Sequence, residues 1–197
     1  MNSFESPSFE SPIKDNKEES PTYEEEGGIY PTNFPVTDLP TPIFDEQDNP
    51  VYILTSGNFL YRGDENRALP IEDLTGIKWF GLDLKNVLEY GYPSQYKINT
   101  ELNLLAIDEI TIEHPFFKGL DEDMKGKFGI FFRTNNGIRE RVSVPQYDYD
   151  LCKYICSLGY DGYAMKEMKS DDNDMFHAEV ALQNGNEKLI GPVHINV

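Results

Sequence analysis

Residues 79–91 read Trp-Phe-Gly-Leu-Asp-Leu-Lys-Asn-Val-Leu-Glu-Tyr-Gly and mark the point where an extended segment turns into a helix. A strand is predicted over residues 74–80, directly before this turn. Asp83 is a typical N-terminal cap, and Gly91 is a typical helix stop. The helix predicted over residues 83–90 has three apolar residues on one face, namely Leu84, Val87 and Leu88.

Short apolar segments on both sides of this stretch predict further strands. They cover residues 58–63, 102–107, 129–133, 160–165 and 178–182. A second helix is predicted over residues 148–158, closed by Gly159. Because short strands outnumber helices and do not alternate with them, the predicted fold class is α+β rather than a doubly wound sheet.

The first fifty residues differ in composition from the rest of the chain. They hold eight of the 13 prolines and carry twelve acidic residues against two lysines, a net charge of −10. The segment Ser-Phe-Glu-Ser-Pro occurs twice in succession, at residues 3–7 and 8–12. Such a composition buries too little apolar surface to offset the entropy of ordering. The sequence predicts a disordered acidic, Pro-rich tail over residues 1–50, with a solvated linker at 27–50, and a folded domain over residues 51–197.

The formal net charge of −18 excludes some classes of partner. General nucleic-acid binding and membrane binding are not expected, because none of the 17 Lys and Arg residues forms a basic run. The two cysteines, Cys152 and Cys156, are predicted to be reduced thiols on a helix, since they lack the two further ligands of a zinc site. No metal is predicted, and an intracellular, cytoplasmic location is expected. A composition rich in Asn, Ile, Lys and Tyr fits an AT-rich genome; if that genome is that of a large DNA virus, the protein is expected in the host cell or the virion.

Three local features combine residue types that suit dinucleotide binding. They are Tyr61-Arg62-Gly63 at a strand end, Trp79-Phe80 before a helix that ends at Tyr90, and His177-Ala178-Glu179 at the start of a late strand. An arginine can bind a phosphate through two nitrogens, and a glycine lets the backbone approach a ligand. Aromatic rings can stack on a cationic ring, and a carboxylate can stabilise positive charge that develops on a sugar.

In this order and spacing, the motifs resemble those of the ADP-ribosyltransferase superfamily. The toxin-like branch carries Arg, then Ser or Thr, then Glu, and the chain matches it at Arg62. The poly(ADP-ribose) polymerase branch carries His, Tyr and Glu, and the chain shares with it an aromatic residue at Trp79 with a tyrosine at Tyr90, eleven residues on. The resemblance covers roughly residues 57–190 and implies an ADP-ribosyltransferase-like split β-sheet core with short helices.

The resemblance further implies an NAD-dependent enzyme of the glycosyltransferase type. It would use NAD as a substrate and transfer ADP-ribose to a macromolecular acceptor, expected to be a protein, with release of nicotinamide. The implied catalytic residues are Glu179 and His177, the latter either a base for the acceptor or a residue at the rim of the site. The implied NAD-binding residues are Arg62, Gly63, Trp79, Phe80 and Tyr90.

Gly81 departs from the family pattern. It stands where the toxin-like branch has a Ser or Thr whose hydroxyl helps to orient the glutamate. Two alternatives are open beside the transferase, and the first of them is suggested by Gly81 and the long tail. One is a non-catalytic interaction or structural protein that retains the fold and binds partners through its tail. The other is an NAD glycohydrolase that uses water as the acceptor.

Overall fold

A computed structural model of the chain describes residues 34–65, 68–135, 138–141, 144–166, 168–169, 175–176 and 178–195. The strands among these residues are β1 (Ile43–Phe44), β2 (Pro50–Leu54), β3 (Phe59–Asp64), β4 (Ile77–Gly81), β5 (Tyr92–Ile98), β6 (Leu102–Ala106), β7 (Phe132–Asn135), β8 (Ile138–Arg141), β9 (Gly162–Met165), β10 (Met168–Lys169), β11 (Met175–Phe176), β12 (Glu179–Gln183) and β13 (Leu189–His194). The α-helices are α1 (Pro115–Gly119), α2 (Glu122–Phe131), α3 (Pro145–Ser157) and α4 (Gly185–Lys188). Three 3-10 helices are η1 (Ile71–Asp73), η2 (Leu84–Tyr90) and η3 (Ile107–Glu109).

Within the described part of the chain, nine strands form one mixed sheet in the order β1-β2-β6-β9-β12-β4-β3-β5-β13. Strands β6 and β9 run parallel, and β12 is antiparallel to both of its neighbours, β9 and β4. Two further ladders, β7–β8 and β10–β11, stand apart from this sheet. Short helices combined with a mixed sheet confirm the predicted α+β class.

Apolar side chains cover both sides of the sheet. Alternation along β12 sends Val180 and Leu182 into one core cluster and Ala181 into the other. The cluster that contains Ala181 also contains Leu151 and Ile155 of α3. The side of the sheet on which α3 packs is called the α3 side below, and it is the side that positions the candidate site.

The helix predicted after residue 82 is present, in the tighter 3-10 form. The side chain of Asp83 accepts a hydrogen bond from the N–H of Lys85, as expected of an N-terminal cap. Gly91 ends the helix with φ 110°, a conformation that favours glycine. The strand before the helix begins at Ile77 rather than at residue 74.

The strand predicted over residues 129–133 is wrong in its first half. Helix α2 extends to Phe131, and β7 begins only at Phe132. The helix is fixed at its start by Asp121, whose side chain accepts a hydrogen bond from the N–H of Met124. Phe128 packs against Phe117 of α1 with ring centroids 5.3 Å apart, so tertiary packing outweighs the local apolar run.

The packed unit begins before Val51, where the sequence analysis placed the start of the domain. The N–H of Thr37 donates to the carbonyl of Leu82 at 2.9 Å, and its hydroxyl donates to the carbonyl of Phe59 at 2.7 Å. Strand β1 pairs with β2. Residues 34–50 are therefore held against the sheet rather than solvated, because they satisfy backbone groups at strand ends. The remainder of the predicted tail, residues 1–33, lies outside the described residues.

Both cysteines lie on α3, as predicted, and both are free thiols. Cys152 is fully buried, and Cys156 is partly buried. The hydrogen bond between the two thiols, together with burial, raises the pKa of Cys152 above its ordinary value. No helix in the described part of the chain is long and apolar enough to cross a membrane.

Candidate functional site

The ladder around β12 brings residues that are distant in sequence into one row. Glu179 lies opposite Gly81 of β4. Ala181 lies opposite both Trp79 of β4 and Tyr163 of β9. Directly opposed residues leave a sheet on the same side, so Trp79, Tyr163 and Glu179 all belong to the α3 side. Backbone register, rather than side-chain contact, therefore sets the position of Glu179.

A chain of hydrogen bonds joins these three side chains. The indole N–H of Trp79 donates to the hydroxyl oxygen of Tyr163 at 3.3 Å, and the Tyr163 hydroxyl donates to Oε1 of Glu179 at 3.2 Å. Ala181 lies between Trp79 and Tyr163 in the same row and is fully buried. Because its side chain is a single methyl group, the two larger side chains can meet above it.

Gly81 lies beneath η2. A Cβ atom at this position would lie 2.8 Å from Cγ1 of Val87 and 3.1 Å from Cβ of Asn86. Because η2 approaches β4 closely, a serine or threonine at residue 81 would require the side chain of Val87 to shift.

Gly63 lies beneath the last turn of η2. A Cβ atom there would lie 2.3 Å from the carbonyl oxygen of Val87 and 2.8 Å from Cβ of Tyr90. The Tyr90 side chain is nevertheless 56% exposed. Partial burial, followed by the Glu89 carboxylate and the charge of Glu179, raises the pKa of Tyr90 to about 12. The site thus presents an exposed, neutral ring within electrostatic reach of Glu179.

Strands β3 and β4 are joined by one paired position in the described sheet, Tyr61 opposite Gly81. Arg62 bridges the strands beyond this position. Its Nη1 donates to the carbonyl of Trp79 at 2.9 Å, and its Nη2 forms an ion pair with Oδ1 of Asp64 at 2.8 Å. Both terminal nitrogens are therefore engaged within the protein, and a bound phosphate would have to share this guanidinium with Asp64.

Alternation along β3 separates Arg62 from Glu179. Tyr61 belongs to the α3 side, and Arg62 leaves the strand on the opposite side. Ser94 of β5 is paired with Arg62. Among the described residues, Nε of Arg62, Oδ2 of Asp64 and Oγ of Ser94 are buried without a hydrogen-bond partner. Buried polar atoms without partners are costly to the fold.

Of the two remaining residues of the predicted site, one is buried in the core and the other is not described by the structure. Phe80 points away from Glu179, is 2% exposed, and packs edge-on against Tyr96 with ring centroids 5.7 Å apart. It is a core residue, and this burial removes it from the side chains that a cofactor can touch. His177 lies outside the described residues, so its predicted role stays a prediction.

A cleft of about 370 Å³ opens beside the start of η2. Its lining includes Thr37, Asp38, Lys85, Asn86, Lys166 and Ala178. Ala178 directly precedes Glu179 in the sequence. The carboxamide oxygen of Asn86 is buried and has no hydrogen-bond partner among the described residues. Ala178 packs with the core cluster that contains Val180 and Leu182, so the cleft borders the side of the sheet opposite to the Glu179 side chain.

Sequence reasoning did not find Tyr163. The strand that contains this residue was predicted, and so was the strand that begins with Glu179, but their pairing was not. Alternation identifies Tyr163 as a neighbour of Glu179 only after the order β9-β12-β4 is known.

Among the residues that the structure describes, no group of three or more His, Cys, Asp or Glu side chains is placed to hold a metal ion. No family model, curated protein or solved structure matches the chain.

Proposed function

We propose that the chain adopts an ADP-ribosyltransferase-like fold and transfers ADP-ribose from NAD to a protein acceptor, with release of nicotinamide. One observation carries this proposal. Glu179, oriented by a hydroxyl donor, lies on the same side of the sheet as Trp79 and within electrostatic reach of the exposed ring of Tyr90.

The residue types match the chemistry of NAD cleavage. Breaking the bond between ribose and nicotinamide produces positive charge on the ribose, and a fixed carboxylate such as Glu179 stabilises that charge. The cationic nicotinamide ring would stack on Tyr90, whose hydroxyl stays neutral at physiological pH. Gly63 lets the last turn of η2 pack directly on β3, which holds Tyr90 over this strand.

The strand order supports the same assignment. Arg62, Gly81 and Glu179 stand on three strands that are neighbours in the sheet, β3, β4 and β12, although more than half of the chain separates the first from the last. The single paired position between β3 and β4 is consistent with a split sheet. In this proposal Arg62 holds the split together through Trp79 and Asp64 rather than by contacting NAD on the α3 side.

His177, two residues before Glu179, is the proposed base for the acceptor group, because an imidazole titrates near neutral pH.

The direct test is the rate of nicotinamide release from NAD by the purified chain and by Glu179→Gln. This substitution removes the charge and keeps the size of the side chain, so we expect a rate about 10²–10³-fold lower. Glu187→Gln, on α4 and exposed, is the matched control and should keep the rate of the wild type. Equal rates for the wild type and Glu179→Gln, or no release by either, would remove the catalytic claim.

Product analysis separates the transferase from the two alternatives. ADP-ribose attached to protein supports the transferase, and free ADP-ribose alone identifies a glycohydrolase. A non-catalytic protein that no longer binds NAD would show the same melting temperature at every NAD concentration. NAD at about 100 times its dissociation constant should add about 2.7 kcal/mol of stability, so a flat melting curve would favour that alternative.

A further inference from the structure

We propose that Tyr163 is a positioning residue for Glu179 and supplies the orienting hydroxyl that Gly81 cannot provide. The inference rests on the proposed function, and it concerns a residue that the sequence motifs do not include. Tyr163 acts through Glu179 rather than on the substrate.

The direction of the hydrogen bonds follows from the chemistry of the donors. An indole N–H can only donate, so Trp79 must donate to the oxygen of the Tyr163 hydroxyl. That bond occupies a lone pair of the hydroxyl and leaves its proton for Oε1 of Glu179. An ionised carboxylate only accepts hydrogen bonds, so the Tyr163–Glu179 bond favours the ionised form of Glu179.

Tyr163 is held rigidly enough to orient another side chain. It is fully buried in the middle of β9 and is paired with Ala181 of β12 and with Leu105 of β6. Cys152 of α3 is hydrogen-bonded to its backbone. A side chain fixed by two strands and a helix gives Glu179 a defined partner, whereas a loop residue would not.

The packing at Gly81 explains why a neighbouring strand must provide the hydroxyl. Residue 81 is the position directly opposite Glu179, and Val87 and Asn86 occupy the space that a side chain would need there. Tyr163 reaches Glu179 from the other flank of β12, diagonally across the ladder. The two strands that flank β12 therefore have different roles. Strand β4 brings η2 close to the sheet, and Tyr163 of β9 orients the carboxylate of Glu179.

The test compares Tyr163→Phe with Tyr52→Phe. Each substitution removes one oxygen from a fully buried ring, and in each case the lost hydroxyl bonds a carboxylate, which for Tyr52 is Asp108. For Tyr163→Phe we expect kcat about 10-fold lower, which corresponds to about 1.4 kcal/mol, with KM for NAD within about twofold of the wild type. The acidic limb of the rate profile should move to higher pH, because the ionised carboxylate loses a donor. Tyr52→Phe should change none of these quantities.

The fluorescence of Trp79, the sole tryptophan, checks the hydrogen-bond chain independently. Its emission should change in Tyr163→Phe, because the indole N–H loses its acceptor, and should be unchanged in Tyr52→Phe. An active wild type with equal kcat and equal acidic limbs in the two variants would overturn the positioning role alone. An inactive wild type would overturn the proposed function and this inference with it.

Discussion

The junction of β4 with β12 and the junction of β4 with β3 belong to the same sheet but are held in different ways. Between β4 and β12, five consecutive residue pairs form a continuous ladder, from Glu179 opposite Gly81 to Gln183 opposite Ile77. Between β4 and β3, side chains replace most of the ladder. Backbone pairing of β12 with β4 therefore positions the carboxylate of Glu179, whereas individual side chains hold β3 against β4.

The side chains at the β3–β4 junction come from two directions. Thr37, from the segment before β1, bonds Phe59 of β3 and Leu82 just after β4. Arg62, from β3 itself, donates a hydrogen bond to the carbonyl of Trp79 on β4. A continuous ladder loses its hydrogen bonds together when an added side chain forces the strands apart. The β3–β4 junction instead loses stability in steps as single side chains are removed. The predictions below separate the two cases.

The largest effect is expected in the ladder region, at Gly162→Ala. A Cβ atom at this residue would lie 1.8 Å from the carbonyl oxygen of Ala181, which is backbone and cannot move aside without breaking the pairing of β9 with β12. We expect the free energy of unfolding, measured with denaturant, to fall by about 4 kcal/mol or more. Gly126→Ala is the control: with nothing within 4 Å, in α2, it should stabilise by about 0.5–1 kcal/mol. A stability of Gly162→Ala close to that of the wild type would contradict the close pairing of β9 with β12, on the other flank of the same strand.

The next effect is expected at Arg62→Met. This substitution leaves the carbonyl of Trp79 and the carboxylate of Asp64, whose side chain is 10% exposed, without their partner. We expect a loss of about 2–3 kcal/mol in the free energy of unfolding, because a largely buried charge loses its ion pair. The double variant Arg62→Met/Asp64→Asn should recover about 1 kcal/mol or more, since no unpaired charge remains. A double variant less stable than the single one would argue against the ion pair as the cause.

A smaller effect is expected at Thr37→Val, which removes the hydroxyl that donates to the carbonyl of Phe59 and accepts from its N–H. The loss should be about 1–2 kcal/mol, because two hydrogen bonds of a buried group are removed without a change in shape. Thr37→Ser keeps the hydroxyl and should stay within about 0.5 kcal/mol of the wild type. Equal melting temperatures for Thr37→Val and Thr37→Ser would show that the segment is held by other contacts.

The smallest effect concerns the anchoring of the same segment at Asp45 and should depend on pH. Burial opposes the ionised form, but hydrogen bonds from Tyr160 and from the N–H groups of Asn49 and Gln47 hold the pKa of Asp45 below its ordinary value. A carboxyl with a lowered pKa stabilises the fold above its unfolded pKa, and this contribution is lost as pH falls through the folded pKa. Asp45→Asn should cost about 1 kcal/mol at pH 7, and the difference from the wild type should shrink below about pH 4. A difference that is constant between pH 7 and pH 3 would contradict this origin.

Local structure was predictable from the sequence where short-range rules decide it. The cap at Asp83, the stop at Gly91 and the helix that contains Cys152 all follow from spacing and from single residues. The strand β5 was not predicted, because Pro93 and the polar residues Ser94 and Gln95 interrupt its apolar pattern. Helix α2 was missed because its core contacts involve residues from other elements.

The candidate site was likewise predictable only where local sequence decides the structure. The motifs containing Gly63, Trp79, Tyr90 and Glu179 could be read from order and spacing, because each ends or begins a recognisable element. The side of the sheet taken by Arg62 could not be read, since it depends on the register with the neighbouring strand. Tyr163 was also beyond local reasoning, because strand order is a non-local property of the chain.

The central claim is that Trp79, Tyr90 and Glu179 face one site that binds NAD. Trp79 is the only tryptophan, so titration of its fluorescence with NAD reports on that site alone. We predict saturable quenching in the wild type and in Glu179→Gln, and weaker binding in Tyr90→Ala, which removes the stacking ring. An emission that is unchanged at millimolar NAD in the folded wild type would contradict the account.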